Sequence, residues 1–374
     1  MNETEALRDE GSAAIPDTQR AAELHGARDV RIATRPVPSP ASDEVLVRVT
    51  AVGVCGSDVH FYQDGHLGDW HVEEPLVLGH EAGGVIVSVG ADVDPGRIGE
   101  RVSIEPQHPS TTSRETLRGA YNLDPDMRFY AVPGTDGAFQ EYVTIQSHFA
   151  FAIPDSVSDE AAALMEPLSV AIATARKAEI QPGDRVLIAG AGPIGVVTAQ
   201  VARAFGATDV IVSDIAEARR ESALTFGATA AIDPAAGGLD EIAGTVDAFI
   251  DASGAAPAVK SGILTVRPGG RVVLVGMGLD ELPLPISRIQ NLELVVTGVF
   301  RYANTWPTAI SLVADGRVDL DRMVTGRFGL DRVTDALEST ANPATIKSVV
   351  TPAAPHHDTG ISTHSGDTER TNRS

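Results

Sequence analysis

The strongest constraint on the fold is a regular alternation of short apolar runs and helical stretches between residues 185 and 299. Strands are predicted at 185–190, 209–214, 228–232, 247–251, 271–276 and 294–299, with helices over 193–206 and 217–227. Runs so rich in Val, Ile and Ala suit strands covered on both faces, and helical crossovers keep successive strands parallel. The expected fold is therefore α/β, with a doubly wound six-stranded parallel sheet of Rossmann type. Its first strand runs into Gly190-Ala191-Gly192-Pro193-Ile194-Gly195. Such glycines permit a tight turn and close approach of a pyrophosphate to a helix N-terminus. The next strand ends in Asp214, where a carboxylate suits adenosine ribose hydroxyls and opposes a 2′-phosphate. Arg219 lies near enough to pair with such a phosphate, or equally to stack on adenine. The expected cofactor is NAD.

The chain on either side has a different grain. Residues 45–143 show short β-like runs, such as 44–52, 81–89 and 138–145, broken by Gly, Pro and Asp. A further helix is predicted at 308–315 and an apolar end at 345–350. The expected layout is a tail at 1–20, a mostly β catalytic domain over 21–165, the nucleotide domain over 166–303, a return segment over 304–352 and a tail at 353–374. The nucleotide domain is thus inserted into the β domain. The formal charge is −22, from 29 basic and 51 acidic residues, which argues against nucleic acid or an anionic membrane as partner. No run approaches 18 apolar residues and the first twenty are polar, so a cytoplasmic protein is expected. Three lysines occur, Lys177, Lys260 and Lys347.

One cysteine, Cys55, excludes an intramolecular disulfide and a cysteine-rich metal knot. By default such a residue is a small buried hydrophobe. Its neighbours suggest more: Cys55-Gly56-Ser57-Asp58-Val59-His60 is followed by Gly79-His80-Glu81, and Glu166 lies in Met165-Glu166-Pro167. Thiolate, imidazole and carboxylate are the ligand types that suit zinc.

Together with Gly53-Val54, Gly84, Ile104-Glu105-Pro106, Tyr121-Asn122-Leu123, Glu166-Pro167-Leu168-Ser169 and the 190–195 turn, these residues resemble the zinc-containing medium-chain dehydrogenases. Val299-Phe300-Arg301-Tyr302 and Asn304-Thr305-Trp306-Pro307 narrow the resemblance to the sorbitol/xylitol (polyol) dehydrogenase branch. It spans residues 27–350 and implies a GroES-like β domain. It also implies one catalytic zinc on Cys55, His80 and Glu81, with Glu166 bound directly or through a water. Ser57 and His60 match a proton relay, Glu166 a catalytic carboxylate, and Arg301 and Tyr302 polyol contacts. Gly190, Gly192, Ile194, Gly195, Asp214, Arg219, Val275, Gly276, Met277, Val299, Phe300 and Arg301 match cofactor contacts. The implied reaction is oxidation of a secondary polyol hydroxyl by hydride transfer to NAD, in a homotetramer or dimer. Other medium-chain alcohol, threonine or sugar dehydrogenases are the alternative, and a non-catalytic NAD-binding protein is a further one.

Two departures stand out. The 107–128 loop has no cysteine, so a second, structural zinc is not expected there, although His108, Asp124 and Asp126 are metal-ligand types. Phe61 stands where polyol dehydrogenases commonly have a substrate-contacting Tyr. A site lacking that hydroxyl discriminates less sharply among hydroxylated substrates.

Overall fold

A computed structural model describes residues 15–278 and 281–352. The expected tail at 353–374 lies outside the described residues, as does most of the one at 1–20. The end of the latter is corrected: Thr18–Leu24 is a strand, paired antiparallel with Val30–Pro36. Buried Gln19 ties it down by donating to Gln140 Oε1 (3.0 Å). Of the polar residues that suggested a tail, Thr18 faces outward, Arg20 is half-buried and Gln19 is buried with its amide hydrogen-bonded.

The nucleotide sheet has six parallel strands in the order Ala230–Ile232, Asp209–Ser213, Arg185–Ala189, Val246–Asp251, Val266–Leu274 and Val295–Gly298. All six predicted strands are present, and the helices span Pro193–Phe205 and Glu217–Thr225. The chain starts in the middle of the sheet, works outward, then crosses back. The crevice beyond Arg185–Ala189 and Val246–Asp251 is therefore the switch point, where ligands bind such sheets. Val186, Leu187, Ile188, Val210 and Val212 are buried, which accounts for their unbroken apolar pattern.

The second sheet runs Ala150–Ala152, Arg101–Ile104, Glu81–Val89, Glu44–Gly53, Lys347–Thr351 and Val324–Gly329, with Tyr142–Gln146 also pairing with Glu44–Gly53. Its last two strands come after the nucleotide sheet in sequence, so the chain returns to complete the domain it began. The strand expected from 138 starts only at Tyr142, because the amides of Ala138 and Phe139 bond instead to the carbonyls of Gly79 and Leu78 (2.7 and 2.9 Å). Val324–Gly329 was not foreseen, since Gly326 and Gly329 break its apolar pattern. Buried Trp306 opens the helix Trp306–Ala314, which packs on helix Met165–Ala178, and its indole donates to Ser103 Oγ (2.8 Å). One buried cluster thereby joins the return segment to the nucleotide sheet. That seam holds the two halves of the site in place.

Candidate active site

Strand register assembles the first half of the site. Glu81 pairs with Gly53, and Val349 pairs with Gly53 on the other side. Cys55 lies two residues beyond Gly53, His80 one before Glu81, and Lys347 two before Val349, so three distant segments converge at one end of the sheet. Their ligand atoms are close: a thiol sulfur, an imidazole nitrogen and a carboxylate oxygen of Cys55, His80 and Glu81 lie within 4.8 Å of one another. Among the described residues this is the one group of three with that spacing. Cys55 caps the N-terminus of helix Gly56–Asp64, and its amide donates to Asp58 Oδ2 (3.0 Å). Asp58 Oδ1 accepts from the Gly79 amide (2.9 Å) and lies 3.5 Å from His80 Nδ1. A buried carboxylate thus orients an imidazole, as the partners of metal-binding histidines do.

The electrostatics suit a cation. Burial opposes protonation of His80, but Asp58 and Cys55 outweigh it and hold the imidazole well above its ordinary value. Burial likewise opposes charge on Asp58, while His80 and the two backbone amides bring its carboxyl below the usual range. Glu81 Oε1 accepts from Lys347 Nζ (2.5 Å), which also donates to the Val54 carbonyl (2.8 Å). Burial works against that ammonium, and Glu81, Cys55 and Glu166 reverse the effect and raise it. Glu81 Oε2 is buried with no partner among the described residues. A Cβ on Gly53 would lie 2.0 Å from that oxygen, so the glycine provides its space. An orphaned buried carboxylate oxygen is costly unless something cationic meets it. The donor set and this oxygen fit a zinc ion.

Glu166 sits in the first turn of helix Met165–Ala178, buried and outside the group of three. Burial and then the neighbouring Glu81 push its carboxyl up to about 7, against His80, Tyr302 and Lys347. The buried Tyr302 hydroxyl stands beside it with no hydrogen-bond partner among the described residues, and burial and Glu166 hold that phenol well above its ordinary value. The Arg301 guanidinium covers the Phe129 ring (3.9 Å to the centroid) and the Phe300 ring (4.8 Å). Phe129 in turn lies 5.4 Å from the His80 ring. Arg301 and Phe300 line two clefts, of about 660 and 390 Å³. The first also includes Asn122, Tyr302 and Asn304, the second Trp70 and Phe129.

The other half is built from backbone. Gly190 has φ +95° and Gly192 caps helix Pro193–Phe205, which opens with proline. A Cβ on Gly195 would lie 1.8 Å from the Gly190 carbonyl oxygen. Asp214 accepts from the amides of Ala191 and Ala216 (2.8 Å each), so it first locks the turn. Residues 275–277 and 299–301 follow the carboxyl ends of the last two strands. The amides of Val275 and Gly276 both reach the Asp251 carbonyl (2.9 Å), and that of Val299 the Leu274 carbonyl (3.0 Å).

Comparison with known proteins decides the family. Residues 41–155 match the alcohol dehydrogenase GroES-like domain and residues 193–315 the zinc-binding dehydrogenase domain. Sorbitol dehydrogenase of Bacillus subtilis (strain 168) is 41% identical over 331 residues, covering 87% of this chain and 94% of its own length. Sorbitol dehydrogenase of Gallus gallus is 39% identical, with coverage of 87% and 94%. The chain belongs to the zinc-dependent medium-chain dehydrogenases, in the polyol dehydrogenase branch. Among solved structures, a short chain alcohol dehydrogenase of Escherichia coli CFT073, complexed with the cofactor NADH, superposes with a TM-score of 0.85 at 29% identity. It covers 90% of this chain and 100% of its own. As a member, the protein is an oxidoreductase acting on CH–OH groups, with zinc and NAD as cofactors.

Within this dehydrogenase the remaining predicted site residues fall as follows. Ser57 and His60 lie three apart on helix Gly56–Asp64, and half-exposed His60 reaches towards Asp64 (Nδ1 to Oδ2, 3.6 Å). No hydrogen bond joins the two. Ile194 is half-buried at the start of its helix, whereas Met277 is exposed beyond its strand. Arg219 makes no ion pair among the described residues, while Arg220 donates to the Asp214 carbonyl (2.7 Å). Phe61 is buried in the apolar core of the β domain, so it offers at most a wall. The Tyr62 hydroxyl donates to Glu338 (2.8 Å), which commits it away from any ligand. In the loop, His108 is buried against Tyr130, and Asp124 accepts from the amides of Ser110 and Asp126. Residue-type reasoning missed Asp58, Lys347, Phe129 and Trp70. Asp58 had a signal, an acid three residues after Cys55 at a helix start; Lys347 had only its rarity.

Proposed function

We propose that the protein oxidises a secondary hydroxyl of a sugar alcohol such as sorbitol or xylitol to the ketose. Cys55, His80 and Glu81 would hold zinc, with Glu166 acting on the water or alcohol beside it. When bound, zinc supplies a Lewis acid for the alcohol oxygen and NAD a hydride acceptor. The observation that carries the reading is the 4.8 Å group of three, with its orphaned Glu81 oxygen and with the Phe129 ring between His80 and Arg301. The Arg301 guanidinium donates no hydrogen bond among the described residues, leaving its donors for the hydroxyls that do not react. Tyr302 offers one more. Ser57 and then exposed His60 carry the alcohol proton to solvent. The 190–195 turn receives the pyrophosphate and Asp214 the ribose hydroxyls, since a carboxylate retains acceptor capacity after two amide bonds.

Initial rates over sorbitol, xylitol, iditol, 2,3-butanediol, threonine and an aldose, each with NAD and with NADP, test this. A preference for polyols with NAD is expected; equal rates for threonine or aldoses would refute it. The edge strand Val295–Gly298 has one neighbour, and Val295 is exposed, which supports pairing with a second copy and a tetrameric or dimeric assembly. No described helix is long and apolar enough to cross a membrane. A cytoplasmic location accords with the composition.

A further inference from the structure

The Tyr121-Asn122-Leu123 motif and the Glu105–Gln107 turn have no part in the reaction as described, yet both are bonded to the segment 300–304. Gln107 Nε2 donates to the Tyr302 carbonyl (3.0 Å), and Asn122 Nδ2 to the Phe300 carbonyl (2.8 Å). The Tyr121 hydroxyl accepts from the Asn304 amide (2.7 Å) and donates to Glu105 Oε1 (2.8 Å). Asn304 Nδ2 donates to the Gly119 carbonyl (2.8 Å), and Arg176 donates to the Asn304 carbonyl from the opposite side (3.0 Å).

Three of these bonds from the lobe end on backbone atoms, at Phe300, Tyr302 and Asn304. They flank two non-glycine residues in the left-handed region, Arg301 (φ 53°) and Asn304 (φ 56°). Asparagine visits that region readily, whereas an arginine adopts it only where the surroundings hold it. The Arg301 side chain makes no hydrogen bond among the described residues, so its direction depends on this backbone and on the rings of Phe129 and Phe300. Asn122 and Gly119 line the same 660 Å³ cleft as Arg301 and Tyr302.

We propose that the lobe 105–123 is a specificity element, in which Tyr121 and Asn122 are positioning residues that hold the 300–304 backbone so that Arg301 and Tyr302 meet the substrate's non-reacting hydroxyls. The proposal rests on the polyol role given to Arg301 above. It gives the cysteine-free lobe a function that needs no second metal.

The test compares D-sorbitol with (2R,3R)-2,3-butanediol, whose two hydroxyls are adjacent and leave no distal group for Arg301. In the metal-loaded enzyme with NAD, Asn122→Ala and Tyr121→Phe should each raise KM for sorbitol about tenfold, the worth of one well-made hydrogen bond. The sorbitol kcat, the butanediol KM and the NAD KM should change by less than about twofold. In an Arg301→Ala background, Asn122→Ala should have almost no further effect on sorbitol. Parallel losses for both substrates, or an undiminished Asn122→Ala effect without Arg301, would overturn the proposal. An Arg301→Ala variant with unchanged sorbitol KM is a separate result: it removes the polyol role itself and the proposal with it. Asn122 is only half-buried and outside the apolar core, so this variant tests the point with little risk to folding.

Discussion

The two halves of the active site are built on opposite terms. The metal half depends on which side chains are present: a sulfur, an imidazole, two carboxylates and an ammonium, all but the sulfur well buried, within one end of a sheet. The nucleotide half depends on which side chains are absent, since the Gly195 Cβ position is already taken by the Gly190 carbonyl. The first concentrates charge where burial makes each unpaired group expensive. The second offers backbone amides at a helix end, which cost nothing to keep in water until a phosphate arrives. A chemical step asks for the former, and a universal phosphate handle for the latter.

This contrast can be broken most directly by Cys55→Ser. Loss of one of three close ligands should empty the metal site and lower turnover on the order of a thousandfold, the equivalent of several kcal/mol of Lewis-acid stabilisation. Binding of NADH, followed by its fluorescence, should be unchanged. Retention of zinc by elemental analysis together with full turnover would refute the ligand assignment.

Lys347→Met comes next and acts on the same half. It leaves Glu81 as a buried carboxylate with neither oxygen bonded to a cation, a change that costs about 3–5 kcal/mol when one partner of a buried pair is lost. Zinc provides a replacement charge, so the fall in Tm should be large in chelator and smaller with zinc added. Lys347→Arg, which keeps the charge, separates this from general misfolding. Equal losses of Tm with and without metal would show that Lys347 does not share Glu81 with the ion.

Gly195→Ala is the mirror experiment on the other half. The added methyl meets the Gly190 oxygen at 1.8 Å, so the turn must open and the pyrophosphate lose amide contacts. KM for NAD should rise about tenfold or more, as loss of one charge-assisted hydrogen bond would predict. Zinc content should stay at one per chain. If Gly195→Ala also lost zinc, the halves would not be independent and the contrast would fail.

The same contrast explains what was legible in the sequence. The nucleotide half lies within one contiguous stretch, where glycine spacing and apolar runs of strand length report backbone geometry directly. All six strands and the Gly190–Gly195 turn were readable for that reason. Cys55, His80 and Glu81 were readable as residue types in short motifs. Lys347 was not, because its partner lies 266 residues away and only the Val349–Gly53 register brings them together. Phe61 shows the opposite failure: a position inherited from a motif says nothing of burial, and this ring is in the core. The strand Thr18–Leu24 was lost for a composition reason, since its first three residues, Thr18, Gln19 and Arg20, are as polar as a tail.

The last expected effect, one on stability alone, concerns Glu105, a charge placed behind the metal half without belonging to it. Burial raises its carboxyl to about 7, with the nearby Glu166 adding to the rise, although Tyr121 and Gln107 hydrogen bonds oppose it. Its Oε2 has no partner among the described residues. A carboxyl whose folded value lies above its ordinary 4.5 holds its proton more tightly in the native state. The stabilisation is complete below about pH 4.5 and disappears as pH rises towards 7, by up to about 3 kcal/mol. Above that, the folded protein keeps a buried anion that the unfolded chain hydrates freely. Glu105→Gln retains an acceptor for Tyr121 and Gln107 and removes the charge. Its Tm should therefore gain on the wild type steadily between pH 5 and 7 and hold a constant lead above pH 8. A difference that does not vary with pH would mean that Glu105 is already neutral or fully solvated, and that the metal half alone concentrates buried charge.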